Sequence, residues 1–461
     1  MMRTTLVLTG ALSLDIASAC TNRLETAGVL LVHPSEIAGE RRLLAHSLDW
    51  VPDEAYIVRK SDRLSIDSAG YVHALSRAEN VGALPIWVHT HPGRGVPLPS
   101  PADRVVDAQI ANVFRIRSGS PYYGSLIFSP RERGYTFAGH LQSEAGDVSQ
   151  IDAAWAVGDR FVWTPAYDQG ARSPSLVIFD RSIRAFGVAI QATLSALKVG
   201  IVGCGGTGSA VAEQLVRLGV RRFLLADHDT LSESNVTRVY GSSPADVGRL
   251  KVEVTADQIQ RIASDAQVEV ISASITVESV ARKFAGCDVI FGCTDDNAGR
   301  LVLSRLSTYY LIPVFDCGVL LSSNAADSIT GIHGRTTTLV PGHACLVCRD
   351  RIDLRRAASE MLTPEERKRR TDEGYAPALG RVEPAVVAYT SAVASVAVGE
   401  LLERLIGYGP APRPSEVLIR LHEREMSTNV ALPREGHYCS DRSGKIGIGD
   451  RTPFLDQSWP S

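Results

Sequence analysis

Apolar and polar positions follow two different rhythms along the chain. Up to about residue 165 the apolar residues fall into short runs broken by turn residues. Near the start "TLVLTG" reads as a strand leading into a helix, "LPIWVHTH" as a short buried strand, and "GSLIFSP", "GYTFAGHL" and "AAWAVGDRFVW" as further strands. Among them "SPADRVVDAQIANVF" has helical spacing, with Ser100 as N-cap and Pro101 at the first helical position, which puts Asp103 in the first turn. Beyond residue 177 strand and helix patterns alternate, the signature of a parallel α/β sheet. Pro, Gly and Ser accumulate between the two regions in "TPAYDQGARSPS". The pattern predicts an α/β protein with a first domain over 1–165, a linker over 166–176, a second domain with a mostly parallel sheet over 177–440, and a C-terminal tail over 441–461.

One apolar run breaks both rhythms. "PAVVAYTSAVASVAVGELLERLIG" is long enough to suggest a membrane span, but its Ser, Thr and Glu400 favour a buried helix, packed at a domain or subunit interface. The first twenty residues imitate a signal peptide, with Arg3, an apolar stretch and small residues before Cys20. Asp15 interrupts that stretch, and removing it would cut into the first domain, so strand plus helix is the simpler account. At 461 residues there is material for about three ordinary domains or two large ones. A formal charge of −3 with interspersed signs gives no reason to expect nucleic acid or an anionic membrane as partner. The eight cysteines are dispersed, as suits a reducing cytoplasm.

Candidate chemistry begins in "WVHTHPGRGVPLPSPADRVVD". On a strand, His89 and His91 project from one face, and two imidazoles side by side can share a metal ion. With Asp103 they make a His, His, Asp set that leaves a fourth tetrahedral position for water, whose pKa zinc lowers to about 7. A hydrolytic site of this kind needs a nearby carboxylate as general base. Upstream, Glu25 stands at the entry to the apolar strand of "NRLETAGVLLVHP". The combination of "ETAGVLL", "HTHP" and "SPAD" resembles the JAMM (MPN+) zinc isopeptidases, although the loop from Pro92 to Ser100 is one residue longer than that family's pattern. The resemblance implies Glu25 as base, Ser100 as oxyanion support, His89, His91 and Asp103 as zinc ligands, and cleavage after the C-terminal glycine of ubiquitin-like proteins.

The second domain opens with "LKVGIVGCGGTGSAVAEQLVRLGVRRFLLADHD". An apolar strand runs into Gly203, Gly205, Gly206 and Gly208 and then a helix, an arrangement that lets backbone approach phosphates at a helix N-terminus. Asp227, about 20 residues on, stands where an NAD-binding fold would place its ribose-binding acid, so a dehydrogenase is the competing reading of this stretch alone. The residues downstream decide against it. "ADHDTLSESNVTRVY", "GRLKVE" and "IFGCTDDNAGR" together resemble the ThiF/MoeB and ubiquitin-activating enzyme superfamily, with Leu231, Val239 and Asp296 as departures from its motifs. The resemblance implies that Asp227, with Asp229 beside it, holds the ribose of ATP, that Asn235, Arg238 and Lys251 face the phosphates, and that Asp295 binds Mg²⁺ with Asp296 as a second carboxylate nearby. It also aligns Arg184 of "FDRSIRAFG" with an arginine that family members insert into the partner subunit's ATP site, which implies a homodimer.

"PGHACLVCRD" presents Cys345 and Cys348 as a knuckle, where many relatives bind structural zinc with a second CxxC. Here only His437 and Cys439 of "EGHYCSD" are on offer, and a metal-free thiol pair is the alternative. No cysteine lies between Cys348 and Cys439, the region where ubiquitin-activating enzymes carry their thioester-forming cysteine, and Cys293 and Cys317 read as core thiols. The charged stretch "RDRIDLRRAASEMLTPEERKRRTDEGY" reads as a solvated helix and loop. The whole reads as a zinc isopeptidase joined to an ATP-dependent adenylyltransferase, both acting on the C-terminal glycine of a ubiquitin-like protein, with a conjugating enzyme as a further partner. Activation of a sulfur-carrier protein is the alternative, and a non-enzymatic scaffold a third reading that the intact motif residues oppose.

Overall fold

The computed structural model describes residues 2–37, 39–93, 97–167, 177–324, 328–362, 366 and 385–459. Two compact units account for it, one of Met1–Ala171 with Gly447–Asp450, the other of Arg172–Ile446 with Arg451–Ser461. Most of the seam read as a linker, 168–176, lies outside the described residues.

The first unit contains β1 (Arg3–Thr9), α1 (Gly10–Ala19), β2 (Ala27–Ile37), β3 (Glu40–Trp50), β4 (Tyr56–Arg59), β5 (Leu64–Ile66), α2 (Ala69–Val81), β6 (Leu84–Thr90), α3 (Pro101–Ser118), β7 (Tyr122–Pro130), β8 (Tyr135–Ser143), β9 (Val148–Gln150), β10 (Ala153–Val157) and β11 (Phe161–Pro165). Its main sheet runs β11-β10-β1-β3-β2-β6-β7-β8-β9, and β4 and β5 pair as a separate hairpin. The stretch "AAWAVGDRFVW" is itself a hairpin, β10 with β11. Central strands are buried on both faces, so their sequences run nearly continuously apolar. Leu30, Val32, Ile86 and Val88 join one core with Ile16 of α1, while Ala27, Val29, Leu31 and Trp87 join the other with Ala74 of α2 and Phe114 of α3. By the two-residue period of a strand, His89 belongs to the Trp87 face and Glu25 to the Ala27 face, which are the same face.

The second unit contains α4 (Asp180–Ala196), β12 (Lys198–Val202), α5 (Gly206–Arg217), β13 (Arg222–Ala226), α6 (Glu233–Val236), α7 (Lys251–Ile262), β14 (Gln267–Ile271), α8 (Glu278–Phe284), β15 (Val289–Gly292), α9 (Asn297–Tyr309), β16 (Val314–Ser323), β17 (Ile329–Leu339), α10 (Leu354–Glu360), α11 (Val387–Ile406), β18 (Glu416–Arg420) and β19 (Glu425–Asn429). Its sheet order is β14-β13-β12-β15-β16-β17-β18-β19. Pairing is parallel from β14 to β16 and antiparallel from β16 to β19. The mostly parallel sheet expected from the sequence is present as the Rossmann-like part from β14 to β16, and β17 to β19 extend it antiparallel.

The long apolar run forms α11, and it packs within its own unit against α5, β16 and β17. Buried Val393, Ala394, Ala397 and Leu401 carry that contact. Small residues at these positions let the helix lie close to the sheet, so the expected domain or subunit interface is not what buries them. No helix among the described residues is long and apolar enough to cross a membrane. The stretch read as a C-terminal tail is packed rather than loose. Phe454 and Leu455 are buried, and Tyr309 Oη donates to Asp456 Oδ2 at 2.9 Å.

Candidate functional site

In the first unit β6 carries His89 into the end of the sheet and α3 brings Asp103 to meet it. Ser100 is the N-cap of α3 with Pro101 behind it, and the capping box is reciprocal. Ser100 Oγ accepts from Asp103 N at 3.2 Å and Asp103 Oδ2 accepts from Ser100 N at 2.7 Å. Such a cap stabilises a helix by about 1 kcal/mol, and here it also fixes the carboxylate. His89 Nε2 lies 3.3 Å from Asp103 Oδ1 and His91 Nε2 lies 3.4 Å from Asp103 Oδ2. One ligand atom from each residue falls within 4.8 Å of the others. Burial works against the charge on Asp103, but hydrogen bonds from His89, His91 and Ser100 outweigh it and hold the carboxyl well below its usual range.

His89 is only 2% exposed, yet Nδ1 has no hydrogen-bond partner and Nε2 faces only Asp103 Oδ1, at 3.3 Å. Leaving a buried polar atom unsatisfied costs about 1–3 kcal/mol, so the imidazole is set up for a partner of another kind. Two imidazoles and a carboxylate are a donor set that zinc accepts. The recess beside them is lined by Asp62, Arg63, Leu64, Trp87 and Val106.

Glu25 arrives from the neighbouring strand. Ala27 pairs with His89 in the antiparallel register of β2 and β6, so Glu25, two residues earlier, falls opposite His91. It is 4% exposed, and burial raises its carboxyl above the ordinary range against the pull of both histidines. The β4–β5 hairpin holds its backbone: Glu25 N donates to Lys60 O at 2.9 Å, and Arg59 Nε donates to Glu25 O at 2.9 Å. Arg59 also donates to Thr26 Oγ1 and lies over the Tyr56 ring. Arg59 was not legible from the sequence, since nothing local links it to Glu25.

In the second unit β12 ends in Gly203, whose φ of +89° favours glycine, and whose added Cβ would lie 2.7 Å from Cys293 O. At Gly208 a Cβ would fall 1.8 Å from Gly203 O, so α5 starts pressed onto the turn that precedes it. Over Gly205 nothing lies within 4 Å, while Gly206 faces Thr390 and the Arg238 side chain. The loop is thus closed beneath and open above, which leaves room for a phosphate at the N-terminus of α5. Gly208→Ala is expected to destabilise the chain by about 1–3 kcal/mol through backbone overpacking. A thermal unfolding midpoint equal to the wild type's would mean the turn can relax without cost.

Asp227 closes the loop from the side. Its Oδ2 accepts from Cys204 N at 2.7 Å and its Oδ1 from Asp229 N at 2.9 Å. Lys251 Nζ donates to Asp229 Oδ2 at 2.7 Å, and although burial opposes it this lysine holds the Asp229 carboxyl below its usual range. The expected phosphate-facing lysine is therefore engaged by its own chain's carboxylate. Asn235 is buried, its Oδ1 accepting from Ser232 N, and Arg238 Nη1 donates to Ser234 O. Asp295 is exposed just beyond β15. Asp296, expected as a second carboxylate near Asp295, is the N-cap of α9 and accepts from Gly299 N and Thr294 Oγ1. Both of its oxygens are engaged, which leaves Asp295 as the available acid. Glu360 of α10 adds two more bonds at that helix start, accepting from Asn297 N and Ala298 N at 2.7 and 2.9 Å. The rest of the charged stretch, 363–365 and 367–375, lies outside the described residues.

Two further expectations can be located. Cys345, Cys348, His437 and Cys439 converge, with one ligand atom from each within 4.8 Å of the others. Cys345 Sγ is 3.6 Å from His437 Nδ1, and Cys348 Sγ is 3.6 Å from Cys439 Sγ. Its hydrogen bond with Cys439 draws the Cys345 thiol down to about 5, while the same contact pushes Cys439 up. Arg184 sits on α4, which kinks at Gly187, and its side chain is 79% exposed and paired with Asp180 at 3.0 Å.

Residues 179–440 match the ThiF family, leaving most of the first unit outside the match. A SAMP-activating enzyme E1 from Haloferax volcanii is 28% identical over 158 residues, covering 34% of this chain and 55% of that protein. A molybdopterin-synthase adenylyltransferase from Escherichia coli is 32% identical over 170 residues, covering 37% of this chain and 65% of that protein. The chain thus spans less than two thirds of either relative's length. Among solved structures, Escherichia coli MccB with ATP superposes with a TM-score of 0.45 at 18% identity, covering 59% of this chain and 76% of that one, a likeness too loose to carry an argument. The family match takes in more than half of the residues, together with the glycine loop, Asp227, Lys251 and Asp295. This chain belongs to the ThiF family.

Proposed function

We propose that the second unit is an ATP-dependent adenylyltransferase that activates the C-terminal glycine of a ubiquitin-like or sulfur-carrier protein. The observation that carries this reading is the open-topped glycine loop at the start of α5, flanked by Arg238 and Lys251 and, beyond β15, by the free acid Asp295. In the reaction a carboxylate oxygen of the substrate bonds to the α-phosphorus of ATP and pyrophosphate leaves with the electron pair. Negative charge shifts among phosphoryl oxygens without any proton moving, so cations and oriented N–H groups are what the chemistry requires. Asp295 is the hard oxygen ligand for Mg²⁺, which neutralises phosphate charge when bound. On approach of the nucleotide Lys251 exchanges Asp229 for phosphate. The experiment is ATP–pyrophosphate exchange by the full chain with a ubiquitin-like protein ending in glycine; no exchange with such a protein, or with its tail peptide, would remove the proposal.

The first unit is assigned, on the same terms, to a JAMM-like zinc isopeptidase acting on that glycine. His89, buried with its Nδ1 unsatisfied and its Nε2 converging with His91 and Asp103, supports this reading. These three residues would hold the metal, which supplies an acidified water when bound. Glu25, kept less acidic by burial, is suited to take a proton, and Ser100 keeps its O–H as a donor because its oxygen already accepts from Asp103 N. Joining two sites for one small protein keeps both at high effective concentration. A conjugating enzyme would receive the adenylate's acyl group, and the dispersed spacing of the eight cysteines supports a cytoplasmic location. The Cys345, Cys348, His437 and Cys439 cluster has the donors for a second, structural zinc.

Exposed Arg184 is assigned to the ATP site of a second copy in a homodimer, where a guanidinium can grip a triphosphate bidentately. Arg184→Ala and Asp295→Ala are each expected to dimerise yet exchange poorly. Mixed, they form heterodimers in which one site carries both defects and the other neither, restoring up to about half of the per-site activity. If subunits demonstrably exchange and no activity returns, Arg184 does not act across the dimer.

A further inference from the structure

Asp316 is fully buried on β16, yet two guanidiniums converge on it. Arg300 Nε lies 3.3 Å from Oδ1, and Arg335 Nη2 donates to Oδ2. The other carboxylate that feels Arg335, Glu416, is paired with Arg351, so Asp316 stands against two guanidiniums in a mostly buried place, an arrangement that is costly unless an anion shares it. Arg335 Nε is buried with no hydrogen-bond partner, and Arg300 Nε faces only Asp316 Oδ1. Arg300 closes the "CTDDNAGR" stretch without a role assigned to it above, and Arg335 stands in no motif considered above.

Their place in the sheet gives the excess charge a meaning. Val202 pairs with Gly292 and Gly292 with Asp316, so β12, β15 and β16 are in lateral register and run on into Gly203, Cys293 and Cys317. Gly318 follows and pairs with Arg335 of β17. Arg300 lies in the first turn of α9, directly after Asp295 and Asp296. The arginine pair therefore borders the same C-terminal strand edge as the glycine loop, on the β16 side of Asp295. The face of β17 opposite Arg335 is the one α11 covers, since a Cβ on Gly334 would come 2.6 Å from Val393. At Gly318 an added Cβ would lie 3.5 Å from Arg335 Nη2 and 3.7 Å from Arg300 Nη2, so glycine keeps the space between the two tips clear.

We infer that Arg300 and Arg335 receive the terminal carboxylate of the acyl substrate, and that Asp316 is the positioning residue that holds both guanidiniums. The inference rests on the adenylation reading. Adenylation must bring a carboxylate against a triphosphate, two anions that repel, and a paired guanidinium cradle offsets that repulsion while orienting the attacking oxygen. When the carboxylate oxygen bonds to the α-phosphorus and pyrophosphate departs, the carboxylate becomes one side of a mixed anhydride. Its charge is gone, and with it the attraction that held it.

The test uses the full chain, ATP, and two synthetic peptides ending in Gly-Gly, one with a free carboxylate and one amidated. In pyrophosphate exchange Arg335→Ala should raise the half-saturating concentration of the free-acid peptide by about tenfold or more, leave that of ATP within about twofold, and be partly rescued by Arg335→Lys. Calorimetry without turnover should show the wild type preferring acid over amide and Arg335→Ala losing the preference. Unfolding midpoints check that the variant is folded; if it is not, Gly318→Val, which fills the space between the tips and keeps both charges, is read in the same way. A rise in the ATP value alone would assign the pair to phosphate, and an unchanged peptide value would overturn the inference while leaving adenylation standing. A wild type that neither exchanges with nor binds the acid peptide would remove the adenylation reading and this inference together.

Discussion

Asp295→Ala is expected to lower ATP–pyrophosphate exchange by on the order of a hundredfold or more, while Glu25→Gln leaves it unchanged. The size follows from position. Asp296 engages both oxygens, one on Gly299 N at the start of α9 and one on Thr294 Oγ1, so within the "CTDD" loop Asp295 is the acid left to hold a cation. Losing the residue that fixes a charge-neutralising ion removes stabilisation that exists only as charge shifts in the transition state, so the turnover rate should fall more than nucleotide affinity. Glu25 belongs to the other compact unit and has its own partners there, the β4–β5 hairpin and the His89 and His91 pair. Loss of exchange in the Glu25→Gln protein would mean that the two activities are coupled. Asp295→Asn, which keeps an oxygen but not the charge, should fall between wild type and alanine; full activity in it would remove metal binding from Asp295's role.

What the sequence made legible depended on how far apart the cooperating residues stand. Ser100, Pro101 and Asp103 announce a capped helix, and the structure forms that cap with both reciprocal bonds. His89 and His91 share a face because a strand has a period of two. Gly203 to Gly208 were readable because their chemistry is local backbone. Legibility failed where closure is long-range. Cys345 and Cys348 were evident as a pair and His437 and Cys439 as candidates to join them, but His437 lies 92 residues from Cys345 in sequence, and only folding decides between that cluster and a bare thiol pair. Asp316, Arg300 and Arg335 come from a strand, a helix and a second strand, and although Arg300 ends the "CTDDNAGR" stretch nothing local ties it to the other two. Asp296 was readable only as a second carboxylate beside Asp295, because the sequence does not say which of two acids a helix start claims as its N-cap. The apolar run of α11 was read as an interface because its hydrophobicity is spread over several faces, and the antiparallel extension beyond β16 that buries it carries no helical punctuation to betray it.

Zinc content and peptidase activity should separate cleanly among three variants of the first unit. The wild type is expected to hold about two zinc ions per chain, one at each donor set. His89→Ala and Asp103→Ala each remove a first ligand, and since even outer-shell changes weaken metal sites about 10–100-fold, both should retain only the ion of the cysteine cluster and cleave nothing. Glu25→Gln should keep both ions, because Glu25 is not in the set whose ligand atoms converge, and should lose cleavage by about 10²–10⁴-fold, the usual worth of a general base. The isosteric amide preserves the fit of a side chain that is 4% exposed, so misfolding does not supply the loss. Cys345→Ser is the complementary control, expected to lose the other ion while the His89 site stays loaded. Two outcomes would count against the assignment. Full cleavage by Glu25→Gln would take Glu25 out of the mechanism, and an unchanged zinc content in His89→Ala would mean that the buried imidazole serves something other than a metal.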